Sequence, residues 1–407
     1  MTEITLSPFE ILRPEFLADP YPVYAQLRES APVWRNAVLQ GWVLTRYQDC
    51  AAVLRDHKTF SSDARHATSP LAKFRLQQAA QIGLAGDSVI GRDPPVHTQL
   101  RALVNKAFTP VRVQQLRSHM EELTDALLKE RSGDTFDVIG QLAEPLPIIV
   151  IAEMLGVPAS DRVTFKRWSA AVAAATDPSV TQDAIDTIGA NMAELEAYVG
   201  GYLDARRQEP RDDLLSALVQ AEEAGASMSE AELLAFIILL LAAGNVTTTG
   251  LIGNAVLALA RHPQQAAWLR EDPTLIPGAI EELLRYDSPV QVVVRFALQD
   301  TEIRGTPIAA GDSILVAIGA ANRDPALFPN PDCLNVRRTE NHHYAFGLGI
   351  HYCLGAGLAR LEAEVALRAL LNRFPTLELA DAAPAYSGTL VLRRLEALPL
   401  RCAPPVR

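Results

Sequence analysis

The ten residues from Phe346 to Gly355, reading Phe-Gly-Leu-Gly-Ile-His-Tyr-Cys-Leu-Gly, run directly into a strong helical pattern from Ala356 to Arg373. No other feature limits the chain as tightly. Gly347 and Gly349 permit positive φ and a close approach of backbone to a flat ligand. The spacing predicts Cys353 in the first turn of the helix, where free N–H groups and the positive helix end favour thiolate over thiol. The other cysteines, Cys50, Cys333 and Cys402, lie far apart with no C-x-x-C pair. They read as small apolar residues rather than as a disulfide or zinc framework.

The rest of the chain reads as one large α-rich body with a small β part. Helices are predicted over Val23–Glu29, Gln48–Asp56, Val96–Ala107, Val111–Glu130, Glu230–Arg261, Pro263–Glu271, Pro277–Tyr286 and Leu354–Arg373. Short strands are predicted at Gly41–Thr45, Val292–Leu298, Glu302–Arg304 and Ser313–Ile318. No repeat or long linker divides residues 1–407, so a single domain is expected. A net charge of -11 over 407 residues excludes a surface built to neutralise phosphate backbones, and no nucleic acid is expected as a partner. The apolar run Leu233–Gly244 falls short of the roughly 20 residues that span a bilayer, and the acidic opening to Pro20 fits neither a signal nor an anchor. A cytoplasmic protein without a membrane partner is the expectation.

The loop resembles the haem-binding signature F-G-x-G-x-H-x-C-x-G of the cytochromes P-450 at every fixed position. The likeness extends through Asp19-Pro20-Tyr21-Pro22, Thr59-Phe60-Ser61-Ser62, Asp93-Pro94-Pro95-Val96-His97 and Asn322-Arg323-Asp324-Pro325. It implies the triangular fold of the soluble bacterial members, with haem b between a long distal helix and the cysteine-loop helix. Cys353 is then the iron ligand, a thiolate electron-rich enough to favour O–O cleavage. Phe346 and Gly347 belong to the same haem cradle. His97 and Arg101, four apart on one helix face, are expected with Arg295 and His351 to hold the haem propionates. Glu282-Leu283-Leu284-Arg285 carries an E-x-x-R signature, and with Arg338 it implies a buried charge network.

On the oxygen side, Ala243-Gly244-Asn245-Val246-Thr247-Thr248 resembles the family's A-G-x-D/E-T-T segment. Thr247 and Asn245 are the expected catalytic pair. Gly244, together with a back-bond from Thr247 to Ala243, is expected to widen the helix there. Val246 departs from the pattern, standing where the family has a carboxylate. The resemblance assigns the substrate pocket to Ala242, Ala243, Val246, Val290, Val292, Val293, Leu390 and Val391, with an entrance lid between Ala64 and Ile90. Those largely apolar walls favour a lipophilic small molecule, oxidised by a monomeric monooxygenase. The chain ends at Arg407 without room for a flavin or iron–sulfur domain, so a ferredoxin or flavodoxin with its reductase is the expected electron source. It would dock on a basic patch of Arg101, Lys106, Arg112, Arg117 and Arg360. Two alternatives stay open: a nitric oxide reductase-like or peroxide-using haem-thiolate enzyme, and a non-catalytic haem-binding protein.

Overall fold

Apolar residues at helical spacing, cut by prolines and capped by small polar residues, place most of the chain in α-helix. The computed structural model describes residues 7, 10–81, 88–105, 108–129, 134–174, 182–211, 214–216, 219, 229–387 and 389–402. The helices that build the site are α1 (Tyr21–Ser30), α2 (Tyr47–Arg55), α3 (Val96–Asn105), α4 (Pro110–Gln115), α5 (Arg117–Lys129), α6 (Pro145–Met154), α7 (Arg162–Ala174), α8 (Gln182–Gln208), α9 (Glu230–Arg261), α10 (Pro263–Glu271), α11 (Ile276–Tyr286) and α12 (Ala356–Arg373). The helix predicted over Val111–Glu130 is two. At Leu116 the backbone tightens, its N–H reaching Val113 rather than the residue four back.

The longest element, α9, starts at a reciprocal cap. Ser229 Oγ accepts from the Glu232 N–H at 3.3 Å, and Glu232 Oε2 accepts from the Ser229 N–H at 2.8 Å, which satisfies two orphan donors. Its two halves lie in different cores. Leu233, Phe236, Ile237 and Leu241 pack with α6, α7 and α8. Leu251, Ile252, Val256 and Leu259 pack with α11 and α12. The segment Ala243–Thr248 is the span between them. Helix Ala231–Arg261 is long and apolar enough to cross a membrane, but 71% of its most apolar window is buried inside the fold, as befits a core helix.

Seven strands matter here: β1 (Val33–Asn36), β2 (Gly41–Leu44), β3 (Phe60–Ser61), β4 (Val292–Ala297), β5 (Thr301–Ile303), β6 (Thr306–Ile308) and β7 (Ser313–Ala317). Five form one sheet in the order β1-β2-β7-β4-β3, with β2 and β7 parallel and the other pairs antiparallel. β5 and β6 are a separate hairpin turned by Gly305, whose φ of 77° suits glycine. Along β4 side chains alternate faces. Val292 and Val294 pack with Phe16, Tyr24 and Leu315, which sends Val293 and Arg295 to the other side.

Candidate active site

The cysteine loop is folded by its own backbone. The Cys353 N–H donates to Phe346 O at 2.8 Å and the Gly347 N–H to Tyr344 O at 2.8 Å, while Gly347 and Gly349 sit at φ 71° and 76°. A side chain at Gly349 would stand 2.5 Å from the Leu54 carbonyl, so glycine lets α2 close onto the loop. The helix begins later than predicted: Gly355 is the N-cap and Cys353 precedes it by two residues. The expected first-turn thiolate is corrected accordingly. Burial raises the thiol's pKa and outweighs the Gly355 N–H, Arg101 and Arg360, which lower it. The residue as a whole is exposed.

Below the loop, the Arg360 guanidinium lies 4.4 Å from the centre of the Phe346 ring and binds Glu281 at 2.7 and 2.8 Å. His343 Nε2 meets the same carboxylate at 3.2 Å. Burial pushes Glu281 up, but Arg360 and His343 together hold it at about 2.

Three of the four basic residues expected from the sequence, His97, His351 and Arg295, come together beside the loop. The His97 and His351 rings lie 4.3 Å apart, and the Nε2 of each is buried with no hydrogen-bond partner among the described residues. Arg295 is buried on β4, bonded to its own strand at Val294 O. Burial lowers its pKa to about 10, with Asp93 offsetting part of the fall. Burial, followed by repulsion from Arg295, His97 and Arg101, drives His351 down to about 3. A crowd of donors that suppress one another's charge is the environment of an absent dianion. The two haem propionates fit it, and Cys353 fits the iron. Arg101 is turned aside from this group, its Nη2 donating to Tyr352 O at 2.6 Å.

On the oxygen side, Thr247 Oγ1 donates to Ala243 O at 2.5 Å, and α9 remains an unbroken α-helix through the segment. The expected widening is absent. Gly244 instead admits Ile151 of α6, whose Cδ1 would lie 2.2 Å from a side chain there. Asn245 is also corrected. Its Nδ2 donates to Ser169 Oγ at 2.8 Å and its Oδ1 accepts from Thr249 at 3.2 Å, so the amide is committed to α7 and not paired with Thr247. Val246 is buried.

The pocket assignment divides. Ala243 is exposed and Thr247 half-buried beside it, while the Ala242 side chain lies outside the described residues. Val293 shares the Arg295 face of β4, and Val290 bridges to Leu392. Val292 is withdrawn from the pocket because strand alternation buries it in the cluster around Phe16. Leu390 packs on that same cluster, and Val391 is exposed. Of the lid, Pro70–Gln81 is helical and residues 82–87 lie outside the described residues, as does Lys106.

The E-x-x-R network is assembled in full. Arg285 binds both oxygens of Glu282 at 2.7 and 2.9 Å, Arg338 adds 2.9 Å, and both members of the first pair have no exposed side-chain surface. Asn341, which the sequence reading missed, donates to Glu282 at 3.1 Å. Arg285 also ties down the Asn322 and Pro331 carbonyls. Glu281 and Ser169 were missed as well, because each is legible only through a partner remote in sequence.

The family model described as Cytochrome P450 matches residues 182–394. The cytochrome P450 monooxygenase PikC of Streptomyces venezuelae is 43% identical over 399 residues, 95% of this chain and 92% of PikC. The polyketide biosynthesis cytochrome P450 PksS of Bacillus subtilis is 39% identical over 398 residues, 95% of this chain and 96% of PksS. Its solved structure superposes with a TM-score of 0.89 over 98% of this chain and 100% of that one. Myxobacterial CYP267B1, solved with myristic acid, gives a TM-score of 0.90 at 36% identity, over 97% of this chain and 99% of its own. The chain belongs to the cytochrome P450 family, and it is a haem-dependent monooxygenase of the bacterial type with the P450 fold.

Proposed function

We propose that the protein hydroxylates or epoxidises a lipophilic small molecule in the cytoplasm, as a monomer carrying haem b. Its electrons come from a separate ferredoxin or flavodoxin and its reductase. The observation that carries this reading is the pairing of a cysteine loop with the converging His97, His351 and Arg295, buried or half-buried, together with a long helix that leaves Ala243 and Thr247 accessible in the oxygen-side segment. Bound haem supplies the iron at which dioxygen is activated. Cys353 would hold that iron, and His97, His351 and Arg295 would hold the propionates. Thr247, tied through its proton to Ala243 O, keeps its oxygen lone pairs for an incoming donor. Val246, Val293 and Ala243 keep water from ordering around an apolar substrate and orient it by exclusion rather than by hydrogen bonds. The myristic acid bound by CYP267B1 and the polyketide pathway named for PksS support a long apolar substrate.

The testing experiment is a screen of fatty acids, terpenoids, polyketides and aromatics for the low-to-high-spin change of the holoenzyme. Each hit is then turned over with a ferredoxin system. Oxygen-dependent product from a spin-shifting compound is expected. A second reading, a peroxide-using enzyme, is favoured by one observation: with Val246 apolar and Asn245 committed to Ser169, no acid stands beside Thr247 in this segment. Product that forms with peroxide but not with dioxygen and electrons would select it.

A further inference from the structure

We propose that Ser169 and Asn245 are positioning residues: they lock α7 in register on α9 and so fix the direction of the turn that carries Val246 and Thr247. The inference rests on the reading of Ala243–Thr248 as the oxygen-side segment. Leu241, Asn245 and Thr249 are spaced four apart, which sets them in one line along a single face of α9. A continuous chain of hydrogen bonds follows that line. Ser169 Oγ donates to Leu241 O at 3.3 Å and accepts from Asn245 Nδ2 at 2.8 Å. Thr249 Oγ1 shares its one proton between Asn245 Oδ1 at 3.2 Å and Ala143 O, ahead of α6, at 2.9 Å. One side chain of α7, two of α9 and a carbonyl ahead of α6 are joined in this way.

The surroundings make the chain selective. Ser169, Asn245 and Thr249 are 0%, 6% and 1% exposed. Nearby, α7 and α9 share an apolar cluster that includes Phe165, Trp168, Ile237 and Leu241. Apolar burial has no direction, so those contacts alone would accept α7 in more than one register. A displacement that broke the chain would leave a buried amide or hydroxyl unpaired, and a single buried polar pair selects one register among several for that reason. The adjacent residue adds a second constraint, since Gly244 admits Ile151 of α6. Ile151 sets how near α6 comes, and Ser169 sets how α7 sits. Successive residues point about 100° apart around a helix, so Val246 and Thr247 lie about 100° and 200° from Asn245. Holding Asn245 sets the direction of both, while Thr247 keeps its own bond to Ala243 O. The amide that the motif placed in the site is spent on orienting it.

The test uses the reduced holoenzyme with carbon monoxide, whose C–O stretch reports the distal surroundings, together with urea unfolding. The wild type is expected to give one narrow band. Ser169→Ala strips the buried Asn245 amide of its partner, so the unfolding midpoint should fall and the band should broaden or split. Ser169→Ala/Asn245→Leu removes both partners and leaves no orphan. In that variant the midpoint should return close to the wild-type value while the band stays broadened or split, whereas a merely structural pair would restore both together. A narrow wild-type band in the double variant overturns the proposal. Thr247→Ala tests the reading beneath it and should shift the band. A band that Thr247→Ala moves and the double variant leaves alone overturns the proposal and keeps the reading. A band unmoved by Thr247→Ala overturns the reading, and the proposal with it.

Discussion

Cys353 owes its setting to two neighbours rather than to the helix that follows it. The first is Phe346 O, which receives its N–H, and the second is the Gly355 N–H, which faces its sulfur. Because burial raises the free thiol, iron bound there would displace its proton. Reduced Cys353→His under carbon monoxide is expected to lack the red-shifted Soret band of thiolate ligation. Retention of that band would remove the assignment. At Val246 the expectation is destabilisation without benefit. Val246→Asp buries a carboxylate at a position 5% exposed and should lower stability by roughly 1 to 3 kcal/mol in urea titrations. Product formed per reduced nicotinamide should not rise. Thr247→Ala, by contrast, should divert most of the reducing equivalents to peroxide. The sequence singled out His97, His351 and Arg295, which the fold does bring together, because the motif that carries them is read against a ligand and not against another part of the chain. Asn245 was misjudged for the opposite reason. Its role is set by Ser169, 76 residues away, and no local pattern signals that bond.

The elements were legible where one principle governed them alone. Ser229 and Glu232 announce the start of α9, and Ser229→Ala should cost about 1 kcal/mol by chemical denaturation. The widened turn expected around Gly244 failed because glycine serves helix contact there, with Ile151 filling the space. Val292 failed because a strand buried on both faces shows no alternation in its residue types, only in its neighbours. Glu282 draws α11 to the loop between Asn322 and Asn341, so Glu282→Ala should cost roughly 3 to 5 kcal/mol by leaving the buried Arg285 without its carboxylate and loosening the half-buried Arg338. Between α9 and α12 the pH dependence has a definite sign. Glu362 has a folded pKa of about 8 against an ordinary value of 4.5, so the folded state holds a proton that the unfolded chain has released. Stability is therefore lost as pH rises from 4.5 towards 8, by roughly 3 kcal/mol at pH 7. In Glu362→Gln that part of the slope should vanish, as read from denaturation midpoints at pH 5 and pH 7.5.

At the scale of the whole molecule, the basic patch anticipated on the cysteine side is thinner than a count of cations suggests. Arg117 is spent on Glu364, Arg360 on Glu281, and Arg101 on the Tyr352 carbonyl. Arg112, exposed at the start of α4, is left to carry more of any long-range attraction for an acidic electron donor. Arg112→Glu should slow reduction at low salt and flatten its dependence on ionic strength, while the spin shift with substrate stays as in the wild type. Equal reduction rates from low to high salt would remove that face as the docking site. The fold class was legible from helix spacing, but the order of the central sheet was not, since nothing in Gly41–Leu44 names Ser313–Ala317 as its parallel partner. That pairing has a consequence for synthesis. β2 must wait for about 270 further residues before its neighbour exists, which at ribosomal speeds of about 5 to 20 residues per second is roughly 15 to 55 seconds. Throughout that interval the nascent chain carries an open strand edge, and chaperone demand during translation should fall sharply in a circular permutant that makes β2 and β7 in succession.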